Sequence, residues 1–253
     1  VLWKITPLIS SWLTNATKNP LWTHSLLTSS STVVELGSGI SALIALSLSP
    51  KIHHYIATDQ EYVQRLFRQN LDENATASST STNAKSKAQR SGKGGKSSSR
   101  KIKSSFVQDG NGVGNVTFTS LDWELDVAGS LKESLGLVSP REGEGEVEED
   151  RGFDMVVSCD CIYNEALVAP FVRTCADLCR LRPIYTDNSD GSMGKGRKPT
   201  VCVIAQQQRS PEVFEAWLQE TMRVFRVWRV SDEVLGEKLK SGSGYLVHVL
   251  LLK

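Results

Sequence analysis

Apolar and polar positions along this chain switch repeatedly between two periods. Short apolar runs predict strands at 32–36 (TVVEL), 53–59 (HHYIATD), 115–121 (NVTFTSL), 153–159 (FDMVVSC) and 200–206 (TVCVIAQ). Between them lie helix-like stretches. Residues 42–48 are apolar and stop before Pro50, and 60–74 carries Tyr62, Leu66, Phe67 and Leu71 along one stripe. A weaker helix is expected at 126–137 and stronger ones at 165–181 and 212–222. The last follows Ser210-Pro211, a good cap and first-turn pair. A short helix around Ser10, Trp12 and Leu13 precedes the first strand. Strands at 224–230 and 245–252 close the chain with no long helix between them. Repeated strand–helix units imply an α/β fold with a mostly parallel sheet covered on both faces. The final strand pair implies an antiparallel ending.

Three segments break the pattern. Residues 75–115 are rich in Ser, Gly and Lys, with eight basic residues and no acid between Lys85 and Lys103. Such a stretch buries too little apolar surface to offset its ordering entropy and is expected to be a disordered insert. Residues 139–151 form an acidic loop and 186–199 a polar one. The remainder suffices for one domain over 1–253, and no internal repeat interrupts it. Hydrophobic residues make up 40% and the formal charge is +1, which suits a globular domain and argues against a dedicated nucleic-acid binder. Nucleic-acid contact is expected only through the basic insert. No apolar run nears the ~18–20 residues that cross a bilayer, and no membrane partner is expected. The chain opens on VLWKITPLIS, without Met or the sections of a signal peptide. It is therefore expected to start inside a longer protein whose targeting it does not show. Five cysteines, an odd number in apolar segments, point to buried thiols and a reducing compartment, the cytoplasm or alternatively the nucleus. Their spacings, C-x-C and C-x-x-x-C, match no paired zinc site, so no metal is expected.

Four motifs carry chemistry. In V-V-E-L-G-S-G-I-S (33–41) a buried strand ends in a glycine turn that opens a helix. Gly37 and Gly39 permit a tight turn and close approach of a ligand, and the helix offers free amides. Glu35, near the strand end, suits a cationic or hydroxyl-bearing ligand. Asp59, at the end of the next strand and 20 residues beyond Gly39, can take both hydroxyls of a ribose. Gly37-x-Gly39-x-x-Ala42 also satisfies the dinucleotide pattern G-x-G-x-x-A. Glu35 favours S-adenosylmethionine over NAD, since it would repel a pyrophosphate, and so does the closing strand pair. In L-D-W-E (121–124), Asp122 can accept from an adenine amino group while Trp123 stacks on the ring or anchors a loop over the core. In S-C-D-C-I-Y-N-E (158–165), Asp160 and Tyr163 form D-x-x-Y where an acceptor would meet the cofactor. Asp160 can orient an incoming ammonium by hydrogen bonding, Tyr163 can wall the slot, and a turn or helix-cap role for Asp160 is the alternative. The Asn-Pro-Pro-Tyr arrangement common in base methylation is missing here, which lowers nucleic acid as a substrate.

With V-V-E-L-G-S-G, A-T-D-Q, L-D-W-E and D-C-I-Y-N-E in place, the chain resembles the family 16 seven-β-strand protein-lysine methyltransferases, whose signature at strand four is D-x-x-Y. W-K-I-T-P-L, Y-N-E-A-L-V-A-P-F-V-R-T and A-Q-Q-Q-R-S resemble the fungal ribosomal-protein lysine methyltransferases in particular. The likeness spans 1–74 and 115–253. One departure is Ser41, where many members carry a third glycine. The resemblance implies a Rossmann-like, seven-stranded methyltransferase fold and S-adenosylmethionine as cofactor. It implies cofactor contacts from Trp3, Glu35, Gly37, Gly39, Asp59, Trp123 and the chain around Cys159. Ser38, Gln60 and Asp122 complete the expected binding set, with Asp160 and Tyr163 catalytic. The expected activity is lysine methylation of a large-subunit ribosomal protein by a monomer. Two alternatives stay open: methylation of a small molecule or other amine, and a non-catalytic fold that binds RNA or the ribosome.

Overall fold

Runs of β-branched and aromatic residues build every strand, and their parity decides what each covers. The computed structural model describes residues 3–80, 114–134, 152–182 and 198–253. Its strands are β1 (Thr32–Leu36), β2 (His54–Asp59), β3 (Val116–Ser120), β4 (Met155–Cys159), β5 (Val201–Gln207), β6 (Phe225–Arg229) and β7 (Tyr245–Leu252). They form one sheet in the order β3-β2-β1-β4-β5-β7-β6. The first five are parallel, and β7 runs antiparallel between β5 and β6. The chain order reverses between β1 and β4, which is where open sheets of this kind bind ligands.

The helices are α1 (Thr6–Leu13), α2 (Pro20–Thr23), α3 (Leu43–Leu48), α4 (Gln64–Thr80), α5 (Gly129–Ser134), α6 (Val168–Arg180), α7 (Pro211–Val224) and α8 (Asp232–Leu235). They split the core in two. Val33, Tyr55, Ala57 and Val157 pack with Ile9, Leu13, Ile44 and Phe67 of α1, α3 and α4. Val34, Leu36, Ile56 and Val156 pack with Leu131, Phe171, Cys175 and Trp217 of α5, α6 and α7. Successive strand residues thus feed opposite cores, and β1 and β4 are buried at every position. The five cysteines are all free thiols, and four are buried.

The predicted strands recur, and the helices recur with several differences. Residue 60 is extended, a 3₁₀ turn occupies Glu61–Val63, and α4 begins at Gln64. The helix then runs to Thr80, past its predicted end and into the stretch expected to be disordered. Adding a residue to an existing helix needs no new nucleus, so a polar Ala/Ser/Thr tail can extend it. Helix α2 was not expected, yet its signal is present: Asn19 accepts the Leu21 amide at 2.9 Å and Pro20 fills the first helical position. At 126–137 the helix is shorter among the described residues, Gly129–Ser134. The basic run Lys85–Lys103, the acidic loop 139–151 and residues 186–197 of the polar loop 186–199 lie outside the described residues. Among the described residues no helix is long and apolar enough to cross a membrane.

Phe171 is 2% exposed and meets Trp123 edge to face at 5.1 Å, tying α6 to the loop after β3. Phe171→Ala is expected to cost roughly 3–5 kcal/mol of stability in urea unfolding, the usual range for emptying a buried aromatic site.

Candidate active site

The parallel strands deliver their C-terminal ends to one edge, so residues far apart in sequence surround a single cavity of about 560 Å³. Ligand pockets commonly fall within ~300–1,000 Å³. Its first wall is the glycine turn after β1. Gly37 has φ +69° and Gly39 φ +60°, the left-handed region that glycine enters without strain. A methyl at Gly37 would lie 2.3 Å from Cys161 Sγ and 3.3 Å from the Trp123 ring, so only glycine lets these three pack. Gly39 instead faces open space: nothing lies within 4 Å of where its side chain would start.

Asp59 closes this turn. Its Oδ2 accepts the Gly39 amide at 2.8 Å and its Oδ1 accepts the Gln60 amide at 2.7 Å. The Ser38 amide is taken by Thr58 O at 3.0 Å. Helix α3 starts only at Leu43, after Ala42 at φ +52°. The expectation of free amides at a helix opening on the ligand is therefore corrected. The amides of Ser38 and Gly39 are used inside the protein, Gly39's by a carboxylate.

Gln60 and Asp122 form the next wall, joined by Gln60 Nε2 donating to Asp122 Oδ2 at 2.9 Å. The other Asp122 oxygen accepts the amides of Glu124 and Leu125. The Gln60 bond, followed by these amides, holds the Asp122 carboxyl below its ordinary range. Trp123 lines the cavity and packs on Phe171, and its carbonyl accepts from Arg173 at 2.6 Å. Its indole Nε1 is buried with no hydrogen-bond partner. A buried donor without an acceptor is costly, and a ligand acceptor would relieve it.

Two expected cofactor contacts are not on the cavity wall. Glu35 shares strand parity with Val33, so its side chain enters the α1–α3–α4 core, 4% exposed. There the Tyr55 hydroxyl donates to Glu35 Oε2 at 2.7 Å. Burial outweighs this bond and raises the Glu35 pKa from 4.5 to about 7, while burial and the Glu35 charge push Tyr55 well up. Ser38 is also buried and does not line the cavity.

Cys159 lines the floor and lies 3.7 Å from Thr6 Oγ1, with its thiol pushed up by burial. Cys161 was not expected in the site. Its thiol donates to Leu36 O at 3.4 Å beside Gly37, and burial pushes it up to about 12. The C-x-C spacing was its one signal: two residues past Cys159, the chain has already left the strand.

Asp160 and Tyr163 both line the cavity, but in different states. Tyr163 is 60% exposed at the mouth, near the more exposed Tyr62. Asp160 is 2% exposed, at φ +64°, a conformation that a non-glycine residue rarely holds. Its amide donates to Ala205 O at 2.7 Å, and Oδ1 accepts the Gln207 amide at 3.1 Å. Arg209 grips both carboxylate oxygens, at 2.6 and 2.5 Å. The carboxylate expected to orient an ammonium is thus already ion-paired. Arg209 was missed in the sequence, although it stands in the quoted A-Q-Q-Q-R-S. Its guanidinium also lies 4.9 Å from the centroid of the Trp3 ring, which lines the same cavity.

Two outcomes follow from these contacts. Gly37→Ala should lose roughly 2 kcal/mol from left-handed strain alone, and Cys161→Ala in the same chain should restore part of any further loss, as read by chemical unfolding. For Glu35, the folded chain keeps a proton that the unfolded chain releases near pH 4.5. Its contribution to stability is full below about pH 4.5 and is lost as pH rises through about 7. Urea unfolding at pH 5 and pH 8 should show a fall of roughly 3 kcal/mol from this group, absent in Glu35→Gln.

Comparison with known proteins gives the same fold. No family model matches the chain. It is 26% identical over 240 residues to the ribosomal lysine N-methyltransferase 5 of Zygosaccharomyces rouxii, covering 88% of this chain and 63% of that protein. The like-named protein of Vanderwaltozyma polyspora is 25% identical over 260 residues, covering 93% and 70%. The chain therefore spans a little under two thirds of the first of these relatives. Among solved structures, the METTL16 MTase domain aligns at a TM-score of 0.50 and 10% identity, covering 99% of this chain and 70% of that one. The chain is similar in sequence to fungal ribosomal lysine N-methyltransferases, and its seven strands take the Rossmann-like fold of S-adenosylmethionine-dependent methyltransferases.

Proposed function

We propose that this chain is an S-adenosylmethionine-dependent protein-lysine N-methyltransferase whose acceptor is a large-subunit ribosomal protein. One observation carries the choice of cofactor. Among the described residues the cavity is lined by the carboxylates of Asp59, Asp122 and Glu124, and by that of Asp160, which Arg209 already pairs, with no Lys, Arg or His in the lining. Its glycine turn spends the Gly39 amide on Asp59. A pyrophosphate would meet repulsion and lose that donor; a sulfonium nucleoside would meet attraction. When bound, S-adenosylmethionine supplies a methyl group activated by a positively charged sulfur.

The chain's residues then divide the work. Asp59 still has acceptor capacity for ribose hydroxyls, because each oxygen takes only one amide. Asp122 and Trp123 hold the adenine, with the unpartnered Trp123 Nε1 offering a donor. The open side of Gly39 leaves room for the ligand. The acceptor amine must arrive without its proton. Asp160 is neutralised by Arg209, so the floor does not hold that proton in place as a lone carboxylate would.

Protein as acceptor is supported by the mouth of the cavity. Tyr62 and Tyr163 stand 81% and 60% exposed on two different loops, a surface suited to an extended segment rather than to an enclosed metabolite. The ribosomal target is supported by the names of the fungal relatives. The absence of basic side chains among the lining residues weighs against an RNA-binding role for this cleft.

Incubation with tritiated S-adenosylmethionine and unmethylated ribosomal proteins should label one large-subunit protein on lysine, as identified by mass spectrometry. Asp59→Ala should lower kcat/KM at least tenfold, mainly through the KM for the cofactor. Label appearing only on small amines or on RNA would contradict the reading.

A further inference from the structure

The ion pair at Asp160 does more than fill a buried carboxylate. Arg209 follows β5 and immediately precedes Ser210, the cap of α7, so its backbone is fixed on both sides. Its fork meets Asp160 through two parallel hydrogen bonds, and Nη2 also reaches Gln207 Oε1 at 3.2 Å. The guanidinium, one third exposed, also lies over the Trp3 ring, its Cζ 4.9 Å from the ring centroid. Trp3 precedes α1 and is 45% exposed, yet it lines the cavity. Among the described residues the guanidinium is the one ring partner found for its indole. A planar cation suits this arrangement, since it can bind a carboxylate edge-on while stacking on an aromatic face.

We propose that Arg209 is a positioning residue, a latch that couples the cavity floor at Asp160 to the wall at Trp3 and so holds the N-terminal segment over the cofactor cleft. This deepens the methyltransferase reading and rests on it for the identity of the ligand. The latch itself is a property of the free protein. In this arrangement Asp160 seats Arg209 rather than touching the acceptor, and Trp3 closes the cleft only while the guanidinium is in place.

The test separates the two claims. Uniform labelling with 5-fluorotryptophan gives one ¹⁹F resonance for each of the six tryptophans, and Trp3→Phe identifies that of Trp3. In ligand-free Arg209→Ala, the Trp3 resonance should move toward its solvent-exposed position and gain a solvent isotope shift, with the other five nearly unchanged. Arg209→Lys keeps the charge but lacks the fork and the plane, and should restore the resonance only in part. Because Arg209→Ala leaves a buried charge unpaired, Arg209→Ala with Asp160→Asn is measured alongside and should release Trp3 equally. Calorimetry with S-adenosylhomocysteine should show affinity roughly tenfold weaker in Arg209→Ala and in Trp3→Ala. The Arg209→Ala/Trp3→Ala double variant should be little worse than either alone, because both break one contact. An unmoved Trp3 resonance in both Arg209 variants, or strictly additive losses, would overturn the latch. Release of Trp3 in a protein that never binds S-adenosylhomocysteine would leave the latch standing and remove the cofactor assignment instead.

Discussion

The Gly39 amide gives its hydrogen to Asp59, and the cleft takes its sign of charge from that bond. In nucleotide-binding folds a glycine turn is often an anion cradle, since its amides converge on phosphate. Here a carboxylate from the neighbouring strand already occupies the Gly39 donor. The same bond ties the ends of β1 and β2 together and leaves Asp59 facing the cavity. With Asp122 and Glu124 on the remaining walls, and Asp160 balanced by Arg209, the cleft is left acidic. Charge therefore separates ligands that the shape alone would admit.

Parallel topology makes this assembly possible. Residues 37–39, 59–60, 122–124 and 159–163 all lie at or just beyond the C-terminal end of a parallel strand and so arrive at one edge. Arg209 joins them because β5 ends there too, and Trp3 because α1, which it precedes, packs on α3, the helix that follows the glycine turn. The site is held by hydrogen bonds between strand ends more than by any one loop. Gln60 to Asp122, Cys161 to Leu36 and Arg209 to Asp160 each connect one strand end to the next.

Strand positions, their parallel arrangement and the antiparallel ending were legible because each strand is a short apolar run bounded by turn residues. Gly37, Gly39, Asp59, Trp123 and Tyr163 could be placed on the cavity wall from the sequence because each lies at or shortly beyond the C-terminal end of a parallel strand. Glu35 was not. Period-two parity places it with Val33, but both faces of β1 are buried, so no polar face marked which way it points. Arg209 was illegible for another reason. Its partner lies 49 residues away in sequence, and nothing local to either residue reveals the pairing. The length of α4 was underestimated because its last turns lack the apolar stripe by which its start was recognised.

An acidic cleft with no basic side chain among its described lining residues favours a sulfonium nucleoside over a pyrophosphate-bearing one. Parallel calorimetric titrations of the folded chain with S-adenosylmethionine and with NAD test it most directly. Saturable one-to-one binding of S-adenosylmethionine and no heat of binding from NAD is the expected result. Binding of NAD in this cleft, or a folded protein that takes up neither ligand, would contradict it.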